Sequence, residues 1–543
     1  MNWLKRHKLN AIGLTIVTLL FLISVVIRQP NYSTPLQANE WITAHTLITA
    51  EIWDQNGGPS AYDFNPIYNY PGEGNAYRSA LGGIVAENGE VFYVSYPPFT
   101  FIFYYYASQI FGGPSISSIR IISLFIHFLT SLLIFFLLQK IRSKKNQHLF
   151  NYGGLIAAGF YLFAKGNLWF HGNLYFADTL VQPLFIGGIL LSLHYYKGEF
   201  KRENLTLIAL FFVFFFATYT EWIGLLSAFI TGLFFLIKAI GQRNKSYLKP
   251  FFVIGIASSL AIALPIVQYT SIDGWESLKT TTSTKYAERS GYDDQANSAK
   301  LFNIHKSDTL KFLIGNFDAN YKYVEYYFGY TAGLFLLLYL IRKRIKKPED
   351  KIRQTNNPTL FVLTILTLPV LLHYLLLFNF NAMHQFAALK TASFLVIVIG
   401  LMIAKIQVIS KEIHPYLQIG SLLFLCLFFI FKANQSKDSY LEDFNPEKKI
   451  DFESIATAKI MQVESKPNTA TFATMSLNPN LIYYAKHIYA PLTEFDAEQI
   501  FQIMEMRRNE YGDFYQHEED GLHAIIRFRK LDDRIEIIDT LNY

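Results

Sequence analysis

The feature that most limits what this chain can fold into is a series of apolar runs, each close to the roughly 20 residues that a helix needs to cross the hydrocarbon core of a bilayer. They cover residues 9–27, 116–139, 152–166, 178–196, 205–221, 222–240, 250–270, 323–341, 358–378, 385–405 and 415–433. Lipid offers no water to exposed amides, so runs of this kind cross it as helices. The expected fold is a mainly α, polytopic membrane protein of about 11 transmembrane helices. The run at 152–166 is short, and 205–221 nearly touches 222–240. Lys5, Arg6 and Lys8 precede the first run as in a signal peptide. No small-residue cleavage site follows, so it reads as a retained helix.

Lys and Arg concentrate in cytoplasmic loops, which makes their positions a guide to orientation. The clusters at 5–8, 140–145, 197–202, 243–249, 342–347 and 405–411 fall on one side if about 11 spans are counted. The N-terminus is then cytoplasmic. Segments 28–115, 271–322 and 434–543 fall outside, where neither ATP nor nucleotide sugars are supplied. The chain divides into a transmembrane unit, 1–433, and an extracytoplasmic α/β domain, 434–543. A net charge of +6 is small for 543 residues and argues against a nucleic-acid partner. The single cysteine, Cys426, excludes an internal disulfide and a cysteine zinc cluster.

Outer segment 28–115 is dense in chemistry. Glu40–Trp53 reads as a helix with Asn39 as its N-cap and Glu40 in the first turn, where the helix dipole favours an anion. Trp41, Ile48 and Ile52 share one face, and Glu40, Ala44, Leu47 and Glu51 another. Such a helix is expected to lie on the outer membrane surface with its indoles among the headgroups. A second aromatic segment, 99–112, follows Tyr96-Pro97-Pro98 and is also placed at that surface.

A first membrane helix, an acidic outer helix, Tyr96-Pro97-Pro98-Phe99, Phe111-Gly112 and Arg120 entering a long span form a recognisable order. Residues 166–180, with Asp178 at the start of the fourth span, continue it. The whole resembles the GT-C superfamily of integral-membrane glycosyltransferases. The nearest pattern is that of the bacterial family-39-like enzymes, relatives of protein O-mannosyltransferases and of the lipid A aminoarabinose transferase. The resemblance implies an enzyme of the bacterial plasma membrane, a hexosyl or pentosyl transferase. It implies a polyprenyl-phosphate sugar donor, with the sugar passed to a hydroxyl of a lipid, glycan or protein on the outer face.

A phosphate leaving group needs charge stabilisation, and the incoming hydroxyl benefits from a carboxylate base. Glu40 matches the loop-one carboxylate of the family, where Asp or Asp-Glu is common, although this chain has Asn39-Glu40. It is either that base or a first-turn helix charge. Asp178 is either a helix cap or a second acidic member of the site. Tyr96, Arg120, Lys285, Arg289, His384 and Lys390 are the candidates for substrate binding. Arg120 matches a family arginine, but snorkelling to headgroups is the commoner fate of such a residue. Lys285 and Arg289 sit with Lys279 and Lys300 in a loop that the family uses to cover its donor. Lys390 lies inside an apolar run, where an unpaired charge costs about 2.5–3.5 kcal/mol, so it snorkels or faces a polar cavity. Glu221 occupies a bend where relatives often carry a cation; it marks a different acceptor or merely an exposed turn.

No cofactor is required by the sequence. A divalent metal stays open, with His45 and His171 as weak ligand candidates, because no two histidines form a short metal-binding motif. In the last segment, 469–475 reads as a strand, 480–486 and 496–510 as helices, and 523–529 and 534–539 as strands. Two other classes compete: an outer-face polysaccharide polymerase or ligase of different fold, and a multi-span transporter. The loop-one carboxylate followed by Tyr-Pro-Pro favours the transferase over both.

Overall fold

All of the expected apolar runs are helices in the computed structural model, in the expected order. The structure describes residues 2–32, 34–36, 40–68, 70, 83–87, 90–142, 150–199, 202–291, 307–345, 357–466, 469–476, 478–507 and 509–543. Asn39 and Lys300 lie outside the described residues.

The helices are α1 (Asn2–Arg28), α2 (Trp41–Gln55), α3 (Phe99–Gln109), α4 (Ile116–Ile141), α5 (Tyr152–Phe163), α6 (Lys165–Asn173), α7 (Ala177–Tyr196), α8 (Glu203–Thr218), α9 (Trp222–Gly241) and α10 (Leu248–Ser290). They continue as α11 (Ser307–Ile345), α12 (Pro358–Leu376), α13 (Phe378–Met383), α14 (Leu389–Ile413) and α15 (Pro415–Asp443). Among the described residues, nine are long and apolar enough to cross a membrane. The protein is an integral membrane protein. The two shorter helices are α5 and α8, with 12 and 16 residues, about 18 and 24 Å at the helical rise. They are the third and fifth expected spans, so the difference from 11 is one of length and not of position.

The buried centre between α4, α5, α7 and α14 is aliphatic and aromatic, with Ile134, Phe160, Phe185 and Ile399 among its residues. Close approach is built in where α5 meets α14: a Cβ on Gly153 would stand 2.2 Å from the Gly400 carbonyl oxygen. Small residues at such contacts let helices pack without a hydrophobic drive from water.

A second cluster lies at the end that carries the long loops. Trp53 of α2, Tyr104 of α3, Trp169 of α6 and Tyr175 belong to it. This corrects the expectation for α2. Both of its faces are buried in protein and Trp53 is fully enclosed, so the helix does not lie on a lipid surface. Substantial exposure is confined to Trp41 at its start and to Asp54 and Gln55 at its end. The sequence period showed an amphipathic face; it could not show that protein, rather than lipid and water, covers both sides. Nearby, β1 (Ile84–Val85) and β2 (Val91–Phe92) pair antiparallel.

Segment 271–322 is more helical than its composition suggests. α10 bends at Asp273 and Gly274, then continues to Ser290. Gly274 has φ of 77°, a left-handed conformation that favours glycine.

The final segment contains α16 (Pro446–Lys449), α17 (Phe452–Glu464), β3 (Thr469–Ala473), α18 (Pro479–Ala485), β4 (Ala490–Pro491), α19 (Ala497–Arg507), β5 (Tyr511–Glu518), β6 (Gly521–Lys530) and β7 (Ile535–Asn542). The strand order is β4-β3-β5-β6-β7, with β3 parallel to both neighbours and the later pairs antiparallel. The boundary expected at 433/434 falls inside α15, which runs on to Asp443. The sheet region is tied to α2: Lys486 pairs with Glu51 at 2.5 Å and lies over the Tyr483 ring at 4.0 Å.

Candidate active site

Five parts of the chain converge on a cavity of about 350 Å³ at the loop-rich end. Helix α2 supplies Trp41 and His45, and the segment before α3 supplies Tyr93, Ser95 and Tyr96. The arm of α10 beyond its bend brings Lys285, Glu288 and Arg289. Phe380 and His384 come from α13 and its C-cap, while Asn478, Pro479 and Ile482 close the side facing the sheet region.

Arg289 is held firmly. Its Nη1 donates to the Ser95 carbonyl at 2.9 Å, and its guanidinium stacks over Tyr96 at 4.7 Å and Phe380 at 5.3 Å. Rings that orient a guanidinium in this way leave its remaining donors ready for an anion. Lys285 pairs with Glu288 at 3.1 Å beside it. These two cations also line a second cavity of about 210 Å³, together with Trp222, Leu225 and Leu376. That cavity shares Val94, Trp222, Leu225 and Thr282 with a third, of about 300 Å³, whose walls include Ile262, Pro265 and Ile266 of α10. A path thus runs from an aromatic, polar chamber, past two cations, into an apolar groove among membrane helices.

The cavity histidines are neutral bases in an enclosed setting. His45 stacks on Tyr68 at 4.1 Å, and burial pulls its pKa down to about 3. His384, stacked on Phe386 at 5.1 Å, is lowered to about 3 by burial and by the charges of Arg289 and Lys390. Burial pushes the Tyr93 phenol up to about 12. Tyr96 is raised as well, by burial first and then by the negative charge of Asp178.

Beneath Tyr96 and Phe380 lies a charged cluster with fully buried side chains. Lys390 Nζ stands 2.5 Å from Asp178 Oδ1 and 3.3 Å from Glu221 Oε1, under the Phe380 ring at 5.5 Å. Glu221 also meets His373 Nε2 at 2.9 Å and accepts from the Ile223 amide at 2.6 Å as the N-cap of α9. Lys390 therefore neither snorkels nor lines the open cavity. Glu221 is no exposed turn. Asp178 does not cap α7: Phe176 is the N-cap, and the Thr179 hydroxyl accepts from its amide at 3.0 Å. Asp178 sits in the first turn, where the helix dipole favours its charge. Its Oδ2 is buried and has no hydrogen-bond partner among the described residues, as is true of the Tyr96 hydroxyl.

Glu40 and Arg120, read separately in the sequence, form one buried ion pair at 3.3 Å. Arg120 Nη1 also donates to the carbonyls of Tyr32 and Thr34, at 3.0 and 2.8 Å. Neither residue lines the cavity, although Trp41, which follows Glu40, does. His171 stands apart from His45. It stacks on His127 at 4.5 Å and meets the Tyr161 hydroxyl at 2.8 Å, so the two metal candidates do not share a site. Among the described residues, the one group of three ligand side chains close enough to share an ion is Glu518, Asp520 and His523, at the β5–β6 turn. None of them lines the cavity.

No family model and no curated protein matches the chain at the level of sequence. Solved structures do match its fold. The oligosaccharyltransferase of Archaeoglobus fulgidus, in its apo form, superposes with a TM-score of 0.57 at 12% identity, over 93% of this chain and 69% of the other. ArnT from Cupriavidus metallidurans bound to undecaprenyl phosphate gives 0.55 at 10% identity, over 96% of this chain and 97% of the other. The fold is that of the GT-C glycosyltransferases. A further structure of the archaeal enzyme holds zinc and sulfate, with a TM-score of 0.55 at 13% identity over 92% and 68% of the two chains. The GT-C fold accounts for the helix order and for the sheet region at the chain's end. It leaves the site to be argued from its residues.

Proposed function

We propose that the protein is a glycosyltransferase that moves a hexosyl or pentosyl group from a polyprenyl-phosphate donor to a hydroxyl of a lipid, glycan or protein acceptor, on the outer face of the membrane. The observation that carries this reading is the series of adjoining cavities, sharing wall residues, from the aromatic chamber past Lys285 and Arg289 to the apolar groove beside α9 and α10. A lipid-linked sugar has the same three parts in the same order. Its isoprenoid chain suits the groove, its phosphate the two cations, and its sugar the chamber, where aromatic faces meet C–H bonds and His45, Tyr93 and Asn379 offer polar atoms.

In the reaction, the acceptor oxygen bonds to the anomeric carbon as the bond from that carbon to the phosphate oxygen breaks. The acceptor proton goes to a carboxylate, and the polyprenyl phosphate leaves with its charge held by Arg289 and Lys285. For the base we favour Asp178 over Glu40. Glu40 has both oxygens directed at Arg120 within a sealed pair. Asp178 keeps one oxygen without a hydrogen-bond partner among the described residues, buried behind the Tyr96 and Phe380 rings that line the chamber. Glu40 then acts at one remove, fixing the start of α2 and so the positions of Trp41 and His45. Among the described residues, the chamber lining carries no group of three ligand side chains close enough to share an ion, and the proposed chemistry does not call on one. A polymerase or ligase of different fold, or a transporter, draws no comparable support from this path.

The test is to reconstitute the protein in lipid with a panel of polyprenyl-phosphate sugars and candidate acceptors, and to measure release of polyprenyl phosphate. Release with at least one donor is expected. It should fall about 10²-fold or more in Asp178→Asn, in line with the usual worth of a general base. In Arg289→Ala it should fall about tenfold to a hundredfold, the loss of a charge-assisted hydrogen bond. A wild-type protein that releases no lipid phosphate from any member of the panel would refute the assignment.

A further inference from the structure

The protonation of His373 can be read from its neighbours, and it sets the charge of the buried cluster. Asn381 Nδ2 donates to the His373 and Leu377 carbonyls, at 3.1 and 2.7 Å, which fixes the orientation of that amide. The same nitrogen faces His373 Nδ1 at 3.2 Å. An amide nitrogen cannot accept, so the Nδ1 that faces it carries no proton; the ring proton is on Nε2 and is donated to Glu221 at 2.9 Å. His373 is therefore neutral. Two carboxylates, Asp178 and Glu221, face the single ammonium of Lys390, and one negative charge is left over.

From this we infer that Glu221, braced by His373 and Asn381, is a positioning residue for the transfer reaction: it shares Lys390 with Asp178, so that the ammonium holds Oδ1, leaves Oδ2 free and does not cancel the basicity of the carboxylate. The inference rests on the reading of Asp178 as the base. The sharing is visible in the distances, 2.5 Å to Asp178 and 3.3 Å to Glu221. Without Glu221, Lys390 would pair with Asp178 alone. The bracing is equally local. His373 lies on α12, and Asn381 on α13, the helix that also carries Phe380 and Asn379 into the chamber. The groups facing Asp178 come from every element around it: Lys390 of α14, Glu221 before α9, His373 and Tyr374 of α12, and Tyr93 and Tyr96 before α3, with Arg289 of α10 beyond the tyrosine rings. Of these, Glu221 is the negative charge that Asp178 meets.

The experiment compares the full-length protein with Glu221→Gln, His373→Leu, His373→Gln and Asp178→Asn, reading kcat, donor KM, the pH–rate profile and the thermal midpoint. In Glu221→Gln, kcat should fall about tenfold with donor KM unchanged, and the acid limb of the profile should move to lower pH by about one unit, because a like charge beside the base is gone. His373→Leu should shift in the same direction, whereas His373→Gln, whose amide can donate to Glu221, should restore most of the rate. An acid limb that stays in place in Glu221→Gln, with only the melting temperature lowered, would reduce Glu221 to a structural part and overturn the inference. If Glu221→Gln does not fold, the two His373 variants decide by the same criterion. Undiminished turnover in Asp178→Asn is a separate result: it removes the base itself, whatever the Glu221 variants do.

Discussion

Replacing Glu40 by Gln separates the two roles that a loop-one carboxylate can have. In the structure, Arg120 is buried and directs Nη2 to both Glu40 oxygens, at 3.3 and 3.5 Å, while Nη1 is satisfied by two backbone carbonyls. Removing one partner of such a pair costs about 3–5 kcal/mol, because the remaining charge stays out of water. The two carbonyls still solvate Arg120, so the loss in Glu40→Gln belongs at the lower end, about 3 kcal/mol. Arg120→Met removes the cation from a buried carboxylate and should cost more. The double variant Glu40→Gln, Arg120→Met leaves neither charge and should recover part of the loss. Thermal unfolding in lipid nanodiscs measures all three, and turnover in the folded fraction of Glu40→Gln should stay within about tenfold of wild type. A Glu40→Gln protein that melts like wild type yet loses 10²-fold or more in turnover would refute the reasoning. That pattern is the signature of a missing general base, and it would return the role to Glu40.

Two further outcomes are expected. His45 has its pKa lowered to about 3, against about 6.5 in the unfolded chain, so the unfolded state binds the proton more readily between those values and stability falls as pH drops through 6.5. By pH 5 this costs about 2 kcal/mol, with a contribution of the same sign from His384; a melting temperature that is equal at pH 7.5 and pH 5, in both wild type and His45→Gln, would show that the histidines are not enclosed as described. A reporter enzyme fused after Tyr543 should be active only outside the cytoplasm, and cytoplasmic activity would reverse the orientation taken from the Lys and Arg clusters.

The helices were legible because lipid leaves them no alternative: an apolar run of sufficient length must satisfy its own amides. Part of the cavity was legible too. Tyr96, Lys285, Arg289 and His384, chosen for chemistry and position, line one chamber with His45. What the sequence could not supply was partnership. Lys390 and Asp178 are 212 residues apart and meet only because α7 packs near α14. Glu40 and Arg120, 80 residues apart, each looked available for substrate until the fold joined them. His373 was missed altogether, as a lone histidine in an apolar run resembles core. The signal was present all the same, since an ionisable side chain at membrane depth is costly and calls for a named partner. Helix α2 failed for a different reason: periodicity reports which faces are apolar and says nothing about whether lipid or protein covers them.

The separation of charges within the site has a physical reason of its own. The proposed reaction needs cations where a phosphate leaves and a free carboxylate where a proton is collected, both around the anomeric carbon of one sugar. Brought into direct contact, Arg289 and Asp178 would form a salt bridge and each would blunt the other. Tyr96 and Phe380 pack against the Arg289 guanidinium, and Phe380 also meets the Lys390 ammonium that pairs with Asp178. Aromatic rings can fill that gap without adding a competing donor or charge, and they exclude the water that would screen both ends. Lys390 holds one oxygen of Asp178 in place, and Glu221 limits how much of the lysine's charge that oxygen receives. The same layer of rings proposed to receive the sugar thus keeps the two halves of the charge apparatus from neutralising each other.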